Sequence, residues 1–336
     1  MSKPQDFAQC LHRYFQSYLS NCRNVSQNTL KSYSYTFKLF FIYMEQKYKL
    51  PPHKISFQAF TSQNIESFLE WIEYERHCSI ATRNQRLATI HSFCRFVEME
   101  YPECLINVQN ILKIKLKKAP EREMNYLSHD AMKLLLAQPN LKNEHEFRDL
   151  VLLTMLYDLG ARVSEITEIK TSDLFLQSPP SVRLHGKGNK FRQVPLMPET
   201  AKLLKKYLII RKSIVTASEY LFLNPSGRQL SRGGITYILQ KYGDRARNVT
   251  PSLIPEYLSP HCLRHSKAMH LLRSGVNLVY IRDFLGHTDV KTTEIYAKAD
   301  PEMKRDALEK AYSEVAPSVT DDWCDDVDLM HWISSF

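Results

Sequence analysis

One short stretch of this chain has the pattern of β-strands, and most of the remainder has the pattern of helices. Ser181–His185 and Phe191–Leu196 flank the turn sequence GKGN at 186–189, which predicts a β-hairpin. Apolar residues recur at helical spacing before and after this hairpin. The sequence therefore predicts a mainly α protein with a small antiparallel β-sheet.

The length and local composition predict two domains. The 336 residues exceed one typical domain of roughly 100–200 residues. Residues 1–112 have helical patterns only, and residues 124–312 combine helices with the hairpin. Between them, 113–123 (KIKLKKAPERE) reads as a basic, Pro-containing linker, and 313–336 forms an acidic C-terminal tail.

The charge distribution favours a polyanionic partner. The chain carries +9 overall, but the tail 313–336 has six acidic and no basic residues, so residues 1–312 carry +15. Such an excess suits nucleic acid or an anionic membrane surface. No run approaches 18 apolar residues, and seven cysteines without a CxxC pair favour a reducing compartment. We expect a soluble cytoplasmic protein.

Four segments place cationic, imidazole and phenolic groups at turns or helix starts. Together they supply Arg162, Lys187, His261, Arg264, His287 and Tyr296. Attack on a phosphodiester needs guanidinium groups for the phosphate oxygens, a nucleophile such as a tyrosine hydroxyl, and a proton donor for the leaving oxygen. Spacing puts His261 and Arg264 on one helix face, but no spacing rule brings the four segments together.

These segments resemble the signature boxes of the tyrosine recombinase, or phage integrase, family. In chain order they are GARVSE (160–165), GKGNK (186–190), HCLRH (261–265), LGH (285–287) and Tyr296, nine residues further on. All six active-site positions match in type, order and spacing. The resemblance covers about 125–312 strongly and the first domain loosely.

The resemblance implies an enzyme that cleaves and rejoins DNA strands through a 3′-phosphotyrosyl bond to Tyr296. Lys187 would protonate the leaving 5′ oxygen. The phosphotyrosyl bond conserves the energy of the broken phosphodiester, so the resemblance implies neither a metal nor any other cofactor.

The resemblance also assigns the phosphate-binding residues. Arg162 and Arg264 would clamp the scissile phosphate, and His261 and His287 would bind it and manage protons. Glu165 would be a structural carboxylate near Arg162.

Partners and localisation follow from the same resemblance. It implies double-stranded DNA with paired recombination sites, bound by a homotetramer that assembles through the C-terminal segment in a bacterial cytoplasm, in association with the nucleoid. Residues 1–112 would be the SAM-like core-binding domain and 124–312 the catalytic domain. The segment 265–300 is most similar to integrases of bacterial mobile elements, which predicts a role in DNA integration and transposition.

Candidate DNA contacts lie at two helix starts in the first domain and on the hairpin of the second. They are Thr29, Lys31, Ser32, Arg83, Asn84, Arg86, Lys190 and Arg192. We expect most of them to contact phosphates rather than bases. Lys190 and Arg192 are also compatible with a solvated hairpin.

Several alternatives stay open. His261 and His265 have the i, i+4 spacing of helical zinc ligands, but no Glu follows the first and no third ligand is clear, so His265 is interpreted as a structural helix residue. His270 is interpreted as a surface or core residue. The apolar stripe from Leu329 to Phe336 could dock on a neighbouring subunit, or the acidic tail could fold over the basic DNA channel. Alternative functions are a type IB-like topoisomerase and a non-catalytic DNA-binding regulator.

Overall fold

The computed structural model describes residues 7–23, 25–120, 124–186, 190–214, 219–286, 291–298, 331–332 and 334–335. The chain divides into two compact units, Met1–Arg122 and Glu123–Phe336. The division falls within the predicted linker, close to its C-terminal end.

The described part of the first unit is entirely helical. Its α-helices are α1 (Phe7–Arg13), α2 (Gln27–Tyr48), α3 (Ser62–Tyr74), α4 (Ile80–Glu100) and α5 (Leu105–Leu112), with a π-helix at Tyr14–Cys22 and short 3-10 turns at Pro52–Lys54 and Pro102–Cys104. Ser26, Thr61 and Ser79 cap α2, α3 and α4 by accepting hydrogen bonds from backbone N–H groups. Helix α4 therefore begins at Ile80, directly after its Ser79 cap.

Aromatic rings fill the core of this unit. Phe93 lies at its centre, with ring centroids 5.2–5.7 Å from those of Phe7, Tyr14, Phe37 and Phe60. All four pairs have edge-to-face geometry, which is favoured by the ring quadrupoles. Residues from α1, the π-helix, α2, α4 and the loop before α3 thus meet in one shared apolar centre.

The second unit surrounds a small sheet with helices. Its helices are α6 (His129–Leu136), α7 (Glu144–Asp158), α8 (Val163–Glu168), α9 (Pro198–Ile214), α10 (Arg232–Val249), α11 (Pro260–Arg273), α12 (Leu278–Leu285) and α13 (Lys291–Lys298), and a 3-10 turn spans Thr171–Asp173. The strands β1 (Leu174–Phe175), β2 (Ser181–His185) and β3 (Phe191–Pro195) form an antiparallel sheet in the order β1-β2-β3.

The mainly α class with one small antiparallel sheet is confirmed. The hairpin of β2 and β3 is present as predicted, whereas the two-residue strand β1 was not predicted, because so short a strand has no alternation to detect. In β3, Val194 is buried and pairs with Val182, and Arg192 pairs with the buried Leu184. Arg192 therefore shares the inward face of the sheet. Across the described ranges, each helix is too short or too polar to cross a bilayer.

Candidate active site

Helix α11 carries three of the groups singled out in the sequence. Ser259 precedes it and Pro260 occupies its first turn, a favoured position because proline lacks an N–H group. His261 is exposed, Arg264 is buried and His265 is half-buried. Desolvation by the surrounding protein, reinforced by the charges of Arg264 and Arg162, lowers the pKa of His261. The imidazole is therefore mostly neutral near pH 7.

Arg264 is anchored by backbone carbonyl groups. Its Nη1 donates a 2.6 Å hydrogen bond to the oxygen of Gly160, and its Nη2 donates a 2.8 Å bond to the oxygen of Leu285. Burial, followed by the charge of Arg162, lowers the pKa of Arg264 to about 10. The guanidinium therefore stays protonated at neutral pH and is held rigidly at the end of α12.

Arg162 lies at the start of α8 and is held by a carboxylate. Glu165 accepts hydrogen bonds from the backbone N–H of Arg162 at 2.8 Å and from its Nη1 at 2.8 Å. The other terminal nitrogen of Arg162 donates to the carbonyl of Gly286 at 3.2 Å. The Arg162 side chain keeps 30% of its surface exposed while Glu165 keeps 2%, so the guanidinium remains accessible from solvent.

Arg192 enters the same cluster from β3. Its Nη1 and Nη2 donate to the two oxygens of Glu165 at 2.8 and 2.9 Å, and its Nε donates to the carbonyl of Phe284 at 3.0 Å. Burial would raise the pKa of Glu165, but the hydrogen bonds and charges of Arg192 and Arg162 outweigh it and lower that pKa. The observed guanidinium of Arg192 is engaged within the protein, so its predicted contact with phosphate stays a prediction.

Tyr296 of α13 is buried against α11. Its hydroxyl lies 3.0 Å from Nδ1 of His265, and 1% of the residue is exposed. Burial raises the pKa of Tyr296, and the charges of Arg264 and Arg162 oppose that rise. Burial, with the neighbouring His261 and Arg264, lowers the pKa of His265 to about 4. A neutral imidazole therefore faces a protonated phenol.

His265 was interpreted from the sequence as a structural residue, yet it contacts the predicted nucleophile. Its i, i+4 relation to His261 was already a signal, because this spacing places both rings on one helix face. The two ring centroids are 6.2 Å apart. Within the described ranges, no group of three or more His, Cys, Asp or Glu side chains is arranged to hold a metal ion.

Two of the six predicted catalytic residues, Lys187 and His287, lie outside the described residues, as does most of the tail 313–336. Lys190 is exposed at the end of the hairpin turn, where its carbonyl accepts a 2.7 Å hydrogen bond from the N–H of Gly186. Of the predicted catalytic set, the structure thus positions Arg162, Arg264, His261 and Tyr296 within the second unit.

Two of the predicted DNA-contacting residues in the first unit bind the segment that follows α5. The buried Arg83 donates to the carbonyl of Lys115 at 3.2 Å, and Asn84 exchanges two hydrogen bonds with the backbone of Lys117. Lys117 also forms a 2.6 Å ion pair with Glu73. These contacts hold part of the predicted linker against α3 and α4.

The other predicted contacts of this unit lie where α2 faces α4. Arg86 donates to the carbonyl of Ser32 and to the hydroxyl of Thr36, both at 3.2 Å. The N–H of Thr29 donates to the Ser26 cap, and Lys31 is exposed. Lys31 is therefore accessible to a phosphate, whereas the guanidinium of Arg86 is partly committed to α2.

Comparisons with known proteins show the family to which this chain belongs. The phage integrase family model matches residues 125–303, and the N-terminal SAM-like domain model of phage integrases matches residues 13–100. A Sinorhizobium fredii protein that carries the name integrase/recombinase y4rC is 34% identical over 92% of this chain and 93% of its own length. Tyrosine recombinase XerD of Staphylococcus epidermidis is 32% identical over 88% and 94%.

A solved structure has the same fold. The Tn1549 transposon integrase in complex with circular intermediate DNA aligns with a TM-score of 0.69, at 16% identity, over 89% of this chain and 98% of its own. Together with the family models and relatives, this likeness is consistent with a SAM-like helical domain followed by a mixed catalytic fold. The chain belongs to the phage integrase family and is a tyrosine recombinase.

Proposed function

We propose that this protein is a site-specific DNA recombinase that joins DNA transiently to Tyr296 through a 3′-phosphotyrosyl bond. The observation that carries the proposal is the placement of Tyr296: its hydroxyl meets a neutral imidazole at 3.0 Å, beside arginines that favour its anionic form. That combination suits activation of a phenol for attack on a phosphate. The SAM-like match and the DNA-bound neighbour support DNA as the substrate.

In the proposed reaction, the Oη of Tyr296 bonds to phosphorus and the bond from phosphorus to the 5′ oxygen breaks. The phenolic proton passes to an imidazole; Nδ1 of His265 is within hydrogen-bonding distance, and a bound phosphate would favour the protonated form of that ring, which is disfavoured in the free protein. Lys187 gives a proton to the departing 5′ oxygen. The 5′-hydroxyl of a partner strand then attacks the phosphotyrosyl bond, which reverses each transfer and releases Tyr296.

The two arginines would supply the electrostatic part of catalysis. Negative charge accumulates on the phosphate oxygens in the transition state, and preorganised guanidinium groups stabilise it without reorienting. Arg264 is fixed by two carbonyl groups, and Arg162 by Glu165 and one carbonyl group. His261 and His287 would complete the phosphate site. This chemistry requires no cofactor, because the phosphotyrosyl bond conserves the energy of the phosphodiester.

We extend the proposal to assembly and biological role. Recombination exchanges strands between paired sites, so a tetramer on DNA, linked through the C-terminal segment, would provide four nucleophiles. Similarity to a transposon integrase supports a role in moving a mobile element in a bacterium, close to the nucleoid. Cleavage followed by rejoining of the same strands, without exchange, would instead make the protein a type IB-like topoisomerase.

The decisive experiment compares wild type, Tyr296→Phe and Tyr157→Phe on nicked duplexes that are selected for binding from a randomised pool, in buffer containing EDTA. Tyr157 is a matched control, because its hydroxyl also meets a histidine of α11, at 2.8 Å from Nδ1 of His270. We expect a covalent protein–DNA band from wild type and Tyr157→Phe and none from Tyr296→Phe. Binding by all three proteins without any covalent band would favour the non-catalytic regulator.

A further inference from the structure

Three arginines from three different elements bind three consecutive carbonyl groups at the end of α12. Arg192 donates to Phe284, Arg264 donates to Leu285, and Arg162 donates to Gly286. The last carbonyl groups of a helix lack intrahelical partners and carry partial negative charge, so cations bind there favourably. The proposed phosphate-binding arginines and the end of α12 therefore form one hydrogen-bonded cluster.

Arg192 differs from the other two arginines because more of its guanidinium nitrogens donate hydrogen bonds within this cluster. Its Nε, Nη1 and Nη2 all donate to acceptors within the cluster, and 14% of its side chain is exposed. Gly286 packs directly on it, since an added Cβ at that position would lie 2.9 Å from Nη1 and 3.1 Å from Cδ of Arg192. Three of its five N–H groups are thus engaged, so a phosphate could form a bidentate contact with Arg192 only if at least one of these contacts were broken.

The charge balance at Glu165 indicates what Arg192 does. With Arg162 alone, one carboxylate would neutralise one guanidinium, and the planar fork of Arg162 could pair with both carboxylate oxygens. Arg192 instead binds both oxygens, and Arg162 binds Glu165 through a single side-chain nitrogen. The three groups together carry a net charge of one, and the remaining donors of Arg162 stay available for an anion.

We propose that Arg192 is a positioning residue, which by sharing Glu165 keeps the cluster net positive and Arg162 directed outward, and which fixes the end of α12. This role rests on the proposed function, because it acts through Arg162. Arg192 then contributes little to the affinity for DNA and much to the covalent step. The proposal replaces the phosphate contact that the sequence suggested for this residue.

The test measures DNA affinity and the rate of covalent complex formation separately, on the selected nicked duplexes. Arg192→Met should leave the dissociation constant within a few-fold of wild type and slow covalent complex formation about 100-fold, the typical cost of losing one preorganised electrostatic group. Arg192→Lys keeps a positive charge but lacks the fork that joins both Glu165 oxygens to Phe284. It should fall between wild type and Arg192→Met.

Arg183→Met is the matched control. Arg183 lies on the adjacent strand β2 and binds the buried carboxylate of Asp173 through Nε and Nη2, at 2.9 and 2.8 Å. It should lower the midpoint of thermal unfolding without slowing the covalent step. If Arg183→Met and Arg192→Lys slow that step as much as Arg192→Met, loss of stability explains the result and the positioning role is wrong.

A double-mutant cycle separates action through Arg162 from direct contact. If Arg192 acts through Arg162, then Arg192→Met should cause little further loss in an Arg162→Ala background, measured in single-turnover reactions. An additive loss, or a large fall in DNA affinity, would mean that Arg192 contacts DNA itself. Absence of covalent complex with the wild-type protein would instead overturn the proposed function, so the two failures are distinguishable.

Discussion

Glu165 and Asp173 lie eight positions apart and are built by the same local device. Each is the third residue of a short helical turn and accepts a hydrogen bond from the backbone N–H at the start of that turn, at 2.8 and 3.1 Å. Each is almost fully buried, and each is bound by an arginine from the same small sheet. Arg192 and Arg183 occupy opposite faces of that sheet, because Arg192 pairs with Leu184 and not with Arg183.

The surroundings of the two carboxylates differ. Glu165 is shared by Arg192 and Arg162, whose other donors reach the end of α12. The side chain of Arg183 is 44% exposed, and the second side-chain partner of Asp173 is His185. Glu165 is therefore part of a proposed active site, whereas Asp173 anchors strand β2. The long-range partners, not the motif, decide between these roles.

The largest expected effects come from replacing Glu165 and Asp173, one at a time, with the corresponding neutral amides. Glu165→Gln removes the buried counter-charge of two partly buried guanidinium groups, so we expect the free energy of unfolding to fall by about 3 kcal/mol and covalent complex formation to fall about 100-fold. Asp173→Asn should cost about 2 kcal/mol, because Arg183 can turn toward water. Urea denaturation and single-turnover assays measure these quantities.

The proposed difference in role between Glu165 and Asp173 would be contradicted if Asp173→Asn slowed the covalent step as strongly as Glu165→Gln. It would also be contradicted if Glu165→Gln kept the wild-type rate. An Arg192→Met, Glu165→Gln double variant, which removes both charges together, should regain part of the lost stability. A buried charge that loses its partner costs more than the loss of the whole pair.

A smaller effect is expected from His270, which is buried beside another histidine rather than a carboxylate. Its ring stacks on that of His129 at 3.7 Å. Burial, followed by the charge of His129, lowers the pKa of His270 to about 4, compared with about 6.5 in the unfolded chain. Between these values the unfolded state binds more protons, so the free energy of unfolding should fall as the pH falls, by at most about 3 kcal/mol.

Denaturation measured at intervals between about pH 7 and pH 4 tests this dependence. His270→Asn should be less stable near pH 7, because the hydrogen bond with Tyr157 is altered, but its stability should change less with pH. His12→Asn, at an exposed position of α1, is the control and should keep the wild-type slope. If His270→Asn also kept the wild-type dependence of stability on pH, His270 would not be the group that causes this dependence.

The smallest effect is expected at Gly286, and Gly275 provides its control. Both have left-handed backbones, with φ of +67° and +81°, so alanine should cost each about 1 kcal/mol of stability. Only Gly286 packs on Arg192, whereas a Cβ at Gly275 would meet nothing within 4 Å. Gly286→Ala should therefore slow covalent complex formation about tenfold, and Gly275→Ala should not. Equal rates of covalent complex formation for the two variants would mean that the contact between Gly286 and Arg192 does not affect the reaction.

Local patterns in the sequence predicted much of the fold. Ser26 and Ser128 each precede a helical pattern in the sequence and cap that helix in the structure, and the hairpin begins at the predicted residue. The alternation of residues in β3 also indicates the orientation of Arg192, because residues two apart in a strand share a face and Val194 is buried. Reading Arg192 by its charge alone favoured a phosphate contact, whereas reading it by its register would have placed it in the interior.

The sequence alone established the helical class, the hairpin and the family boxes, because caps, periodicity and motif spacing act over a few residues. Tertiary structure alone brought the charged groups together: Arg192 lies 27 positions from Glu165, Arg264 lies 104 from Gly160, and Arg162 lies 124 from Gly286. No local pattern encodes contacts over such separations. They form because packing buries α8, β3, α11 and α12 against one another, and each buried charge must then find a partner.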